Sequence, residues 1–258
     1  IRFEREARAI EALRHENMVA IYDYSGPNSK HCYIVTEFIR GESLRAFADR
    51  VGKIPSEVTA MIGIEVLKAL DYAHRRGIIH RDVKPENVMV TSEGGVKLMD
   101  FGIARILDES QVTVTGSLVG SPAYMSPEQA AGTKVDMRSD IFSLGTFLYR
   151  LITGELPFKG ENPSLILRTI VEGNYVPPDN LEPSVNPLVS AAIVKAMAKE
   201  PEKRFQSAEE MRRALETALS VLSIRSSPDE IGSYFKAPEN YVKQLNNHLV
   251  ATLMARGK

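Results

Sequence analysis

Two short stretches of this chain hold residue types that could act together on a charged, proton-bearing group. The first is His80-Arg81-Asp82-Val83-Lys84-Pro85-Glu86-Asn87, and the second is Asp100-Phe101-Gly102. Asp82 is a carboxylate of the kind that takes or orients a proton. Asn87 and Asp100 offer hard oxygen atoms of the sort magnesium prefers. Lys84 brings a positive charge that can stabilise an anion. Each has an ordinary reading alone: His80 as a hydrogen-bonded core histidine, Asp82 and Asp100 as turn carboxylates, Lys84 as a solvated charge, Asn87 as a loop cap. The ordered set, with spacings set by two strands and one long loop, points instead to a site.

Those residues need elements to position them. Ser56 to Arg76 reads as a helix with Ile62, Val66, Ala69 and Ala73 on one face. It ends in Arg75, Arg76 and Gly77, a basic last turn and a glycine stop. Val88 to Val90 and Val96 to Met99, parted by Ser92-Glu93-Gly94-Gly95, read as a hairpin. An earlier hairpin is predicted from the apolar runs Met18 to Tyr24 and Cys32 to Ile39 around Gly26-Pro27-Asn28-Ser29, with Gly41 breaking the second strand. Ahead of it, Phe3, Ala7, Ile10 and Leu13 recur at helical spacing. Gly102 to Pro127 shows no periodicity, and a loop this long is usually functional. Asp140 to Thr153 is apolar on nearly all sides and should be a buried helix ended by Gly154. Asn162-Pro163 reads as a cap with proline at the first helical position, and Ser207 with Glu210 as a capping box. Ile231, Tyr234 and Phe235, then Tyr241, Leu245, Leu249 and Leu253, mark two late helices expected to pack on the domain.

The bulk numbers exclude several classes. With 258 residues, 43% hydrophobic and 25% charged, the chain has the composition of a folded globular protein. A net charge of -1 gives no basic field for nucleic acid or an anionic membrane. Cys32 is the single cysteine, so no internal disulfide can form, and a reducing, cytoplasmic setting is expected. The longest apolar stretch, Ile141 to Ile152, is interrupted and too short to span a bilayer. No signal peptide is visible at the front of the sequence.

The two chemical stretches, with Ser126-Pro127-Glu128 closing the long loop, resemble the signature of the protein kinase family, which usually has Ala-Pro-Glu there. Asp-Val-Lys-Pro-Glu-Asn resembles the Ser/Thr kinases. Gly120 to Glu128 looks like the substrate-docking loop of the bacterial type. The resemblance runs from Ile1 to about Leu222. It implies an α+β fold, with a partial, small, β-rich N-lobe over 1–39 and a complete helical C-lobe over 40–222. Residues 223–258 would then be a helical C-terminal extension. It implies ATP and Mg2+ as cofactors and a protein serine or threonine hydroxyl as acceptor. Asp82 would orient that hydroxyl, Lys84 would stabilise the transferring phosphate, and Asn87 and Asp100 would hold the metal. Glu6, Thr36, Glu37, Ile39, Lys84 and Met89 would serve the nucleotide: Thr36 as gatekeeper, Glu37 and Ile39 by backbone groups, Met89 as floor. Ser121, where threonine is more usual, would bond Asp82, and Glu128 would pair with Arg204. Asp140 resembles the buried aspartate that holds the catalytic loop, and a carboxylate opening an apolar helix needs such donors. A phosphate on Thr113 or Thr115 would dock on Arg81.

The family's glycine-rich loop and ATP-binding lysine would precede Ile1. The chain is therefore read as a fragment of a longer protein, expected alone to bind ATP poorly, to transfer phosphate slowly or not at all, and to expose the apolar faces of Val35 and its neighbours. Two other functions are open on the sequence. One is a pseudokinase or scaffolding module, against which the presence of Asp82, Lys84, Asn87 and Asp100 speaks. The other is a small-molecule phosphotransferase, against which the docking loop and Arg204 speak.

Overall fold

The computed structural model describes residues 13–25, 33–101 and 122–256. Its order begins with an antiparallel hairpin, β1 (Ile21–Tyr24) and β2 (Ile34–Thr36). A second sheet of order β3-β4-β5 joins β3 (Glu42–Ser43), β4 (Val88–Val90) and β5 (Val96–Leu98), all antiparallel. Between β3 and β4 lie α1 (Leu44–Val51) and α2 (Ser56–His74). The rest is helical: α3 (Pro127–Ala130), α4 (Met137–Thr153), α5 (Pro163–Glu172), α6 (Pro178–Leu181), α7 (Pro187–Ala196), α8 (Ala208–Val221), α9 (Pro228–Lys236) and α10 (Pro238–Arg256). Small antiparallel sheets in front and helices behind make this α+β.

Most expected elements appear with trimmed ends. Both hairpins pair as read, and Asn162 caps α5 by accepting from the Leu165 N–H. Three differences have physical causes. Gly41 is followed at once by β3 and α1, which the pattern did not show. Ser43 caps α1 by accepting from the Ala46 N–H, and only Leu44 and Phe47 of that short helix are buried. The α2 helix is buried nearly all round instead of on one face, because α4, α8, α9 and β5 surround it. Finally, Ser207 does cap α8, but Glu210 does not close the box. Its carboxylate takes the Gln206 N–H and pairs with Lys195. The predicted helix from Phe3 lies outside the described residues, apart from Leu13, which is buried in non-helical chain.

The front hairpin is tied to the rest by the segment before it. Met18 forms a parallel bridge with Leu98, and the Asn17 side chain donates to Glu65 and to the Val96 carbonyl at 2.9 and 3.0 Å. Tyr33, Ile34, Val35 and Phe38 are exposed on this hairpin and its exit, as expected for Val35. Among the described residues no helix is long and apolar enough to cross a membrane.

Candidate active site

The loop from His80 to Asn87 is anchored from three sides. From below comes Asp140, wholly buried in the first turn of α4. Its carboxylate accepts the His80 N–H at 2.8 Å, the Arg81 N–H at 2.7 Å and the His74 ring at 2.8 Å. Those bonds secure Arg81 at φ 67°, a left-handed conformation that costs a non-glycine residue free energy unless its surroundings fix it. From behind comes β5. His80 Nε2 bonds the Met99 carbonyl at 2.9 Å, and the Met99 N–H donates to the Asn87 carbonyl at 2.9 Å. The Asp82 N–H meets His80 Nδ1 at 3.2 Å, so His80 is the Nε2–H tautomer. Burial lowers the His80 pKa and keeps the ring neutral. From the side comes α3, where the Gln129 side chain donates to the Arg81 carbonyl at 2.9 Å.

The working side chains converge above these anchors. Lys84 Nζ lies 2.6 Å from Asp82 Oδ2. Asn87 Nδ2 donates to the Asp82 carbonyl at 2.8 Å and to Asp82 Oδ2 at 3.0 Å. Asp100, at φ 60°, lies two residues past the end of β5. Burial raises the Asp100 carboxyl, and the neighbouring Asp82 charge pushes the same way. Phe101 packs under His80 with ring centroids 4.6 Å apart.

Among the described residues no group of three or more His, Cys, Asp or Glu side chains could hold a metal alone. A phosphate-bridging magnesium needs only one or two protein oxygens, with phosphate and water supplying the rest. Asn87 commits its nitrogen to Asp82, which leaves its side-chain oxygen for a cation. With the Asp100 carboxylate this donor set fits.

The residues expected to serve a nucleotide are only partly gathered. Met89 is half-buried between the core residues Val88 and Val90 and pairs with Ser43 and Lys97 across the sheet. The Glu37 N–H goes to the Ala20 carbonyl at 2.8 Å, so Glu37 can serve a base only through its own carbonyl. Its side chain bonds Lys97 at 2.9 Å. Burial opposes ionisation of Glu37, but the Lys97 hydrogen bond and the Ala20 N–H hold its pKa below the usual range. The Ile39 carbonyl accepts from Gly41, and Thr36 is exposed on β2. Glu6, Thr113, Thr115 and Ser121 lie outside the described residues.

The Glu128–Arg204 pair forms as expected. Arg204, buried, grips both Glu128 oxygens at 2.8 and 2.9 Å. Its remaining N–H groups reach the carbonyls of Ala198, Arg138 and Lys199, so all five have acceptors. Burial would raise the Glu128 carboxyl, but Arg204 and the Ser139 hydroxyl hold it below the usual range. Sequence reading missed His74 and Gln129. Ser126-x-x-Gln129 is a capping-box pattern, and here the box closes on both sides. His74 gave no local signal, because its partner Asp140 is far away in sequence.

Residues 1–215 match the family model described as "Protein kinase domain". A probable serine/threonine-protein kinase of Clostridium perfringens is 42% identical over 233 residues, covering 89% of this chain and 34% of that protein. The serine/threonine-protein kinase PknB of Mycobacterium leprae is 42% identical over 222 residues, 83% of this chain and 35% of its own length. The chain thus spans about a third of the curated relatives it matches. Among solved structures, Rad53 1-466 in complex with AMP-PNP aligns with a TM-score of 0.69 at 25% identity, over 82% of this chain and 53% of that one.

Proposed function

The chain belongs to the protein kinase family, a family that uses ATP, and from that premise we propose that the protein carrying it is a serine/threonine kinase. It would transfer the γ-phosphate of ATP to a serine or threonine hydroxyl of a protein. The observation that carries this reading is the Asp82–Lys84–Asn87 cluster, gathered within hydrogen-bond distance on a loop that Asp140 fixes from below.

Phosphoryl transfer demands positioning and charge neutralisation more than covalent help. Asp82 presents an acceptor to the incoming hydroxyl and orients its attack. Lys84, already beside Asp82, neutralises charge on the group in transit. Asn87 keeps Asp82 in one rotamer through Nδ2. Asn87 and Asp100 would hold Mg2+, which would supply positive charge against the phosphates. Met89 and the carbonyl of Glu37 would meet the base. The buried Glu128–Arg204 pair holds the docking segment rigid for a protein substrate. Arg81 Nε is buried with no partner among the described residues, which supports docking of a phosphate on Thr113 or Thr115 there.

The test supplies the whole protein with ATP, Mg2+ and either a generic protein or small alcohols. Phosphoserine and phosphothreonine on the protein are expected. Label appearing only on the small alcohols would replace this reading with small-molecule phosphotransfer.

A further inference from the structure

The last two helices lie beyond the matched residues 1–215, yet α9 touches the turn between β4 and β5. Two glycines make the contact. Gly94, in the turn between β4 and β5, has φ 84°, and a Cβ there would stand 1.8 Å from the Pro228 carbonyl oxygen. A Cβ on Gly232 of α9 would stand 2.9 Å from the Glu93 carbonyl carbon and 3.0 Å from the Gly94 nitrogen. The two backbones touch with no side chain between them. On the same helix, Tyr234 and Phe235 hold Phe47 of α1 edge-on, with centroids 5.7 and 4.7 Å away. The α9 helix therefore grips both the β4–β5 turn and the helix that follows β3. The stack continues at the turn end of β4, where a Cβ on Gly41 would meet the Val90 carbonyl oxygen at 2.0 Å.

We propose that α9 braces the floor of the nucleotide site, with Gly232 as a positioning residue. Acting through the Gly94 turn, it sets where β4 and Met89 stand against the segment Glu37 to Ile39. This rests on the nucleotide reading above. Close-packed backbone cannot absorb an added methyl, so either the turn or the helix must shift. Of the three anchors of the Asp82 loop, Asp140 and Gln129 lie outside the β4–β5 sheet, so a shift of the turn reaches that loop only by way of β5 and Asn87. The consequence falls on nucleotide affinity more than on the acceptor site.

The experiment measures the Kd of a fluorescent ATP analogue, the KM of a peptide acceptor and the Tm, using the whole protein. Gly232→Ala is expected to weaken nucleotide binding roughly threefold or more, with a smaller change in peptide KM. Ile193→Ala, a core change on α7, is expected to lower Tm with Kd unchanged. Should Gly232→Ala not fold, Phe235→Leu loosens the same helix and carries the same expectation. An unaltered Kd in the folded α9 variant overturns the brace, whatever its Tm. A wild type that binds the analogue but transfers no phosphate overturns the kinase reading alone, since the Kd comparison still stands. A wild type that binds no nucleotide overturns both.

Discussion

Arg81 sits at φ 67° because the Asp140 carboxylate takes its N–H and that of His80, while His74 fills the remaining side. Asn at 140 would turn a donor towards one of those N–H groups. Asp140→Asn should therefore destabilise by about 1–3 kcal/mol and slow transfer while nucleotide affinity is kept. Urea unfolding together with single-turnover kinetics checks both halves. Glu128 gives a pH-dependent prediction. Burial works against its ionisation, but Arg204 and Ser139 hold its pKa below the ordinary 4.5. A depressed carboxyl contributes stability above that value and loses it as pH falls through the folded pKa. Glu128→Gln should cost about 3–5 kcal/mol near neutrality, since it strands a buried guanidinium. The gap to wild type should close on acidification below 4.5, and a constant gap from pH 7 to pH 3 would count against the pair. The chemical residues Asp82, Lys84, Asn87 and Asp100 were readable because they cluster in sequence. His74 was not, because its role depends on a partner brought in by folding.

At the scale of elements, two segments with the same sequence pattern behave differently. Ser126 and Gln129 close a capping box, whereas Glu210 is drawn off to Lys195 and the Gln206 N–H. The pattern alone does not reveal which competing donors stand nearby. Ser126→Ala should cost about 1 kcal/mol through the lost cap. It should also loosen Gln129 from the Arg81 carbonyl, read as a higher peptide KM with nucleotide Kd unchanged. The hairpin of β4 and β5 was legible from two short apolar runs and the Ser92-Glu93-Gly94-Gly95 turn between them. The short α1 was not, since Leu44 and Phe47 alone give too little periodicity to separate a helix from a loop.

Across the whole molecule, the central helix α2 is legible by length and not by face, because helices distant in sequence enclose it on nearly every side. The α9 and α10 helices follow their apolar spacing and pack on the domain as expected, with Ile231, Tyr234 and Leu245 buried. What spacing could not show is where they pack, since that depends on Phe47 and on two glycines whose neighbours are remote in sequence. Phe47→Ala should cost about 3–5 kcal/mol in chemical unfolding. All these contacts matter to function only if the fold serves phosphate transfer at Asp82. The most direct measurement is Mg2+-dependent phosphorylation of a serine or threonine peptide by the whole protein, compared with its Asp82→Asn variant at equal nucleotide occupancy. The predicted result is a fall of about 10²- to 10⁴-fold in turnover with nucleotide affinity retained. Transfer by Asp82→Asn at the wild-type rate, or none by a nucleotide-bound wild type, would contradict it.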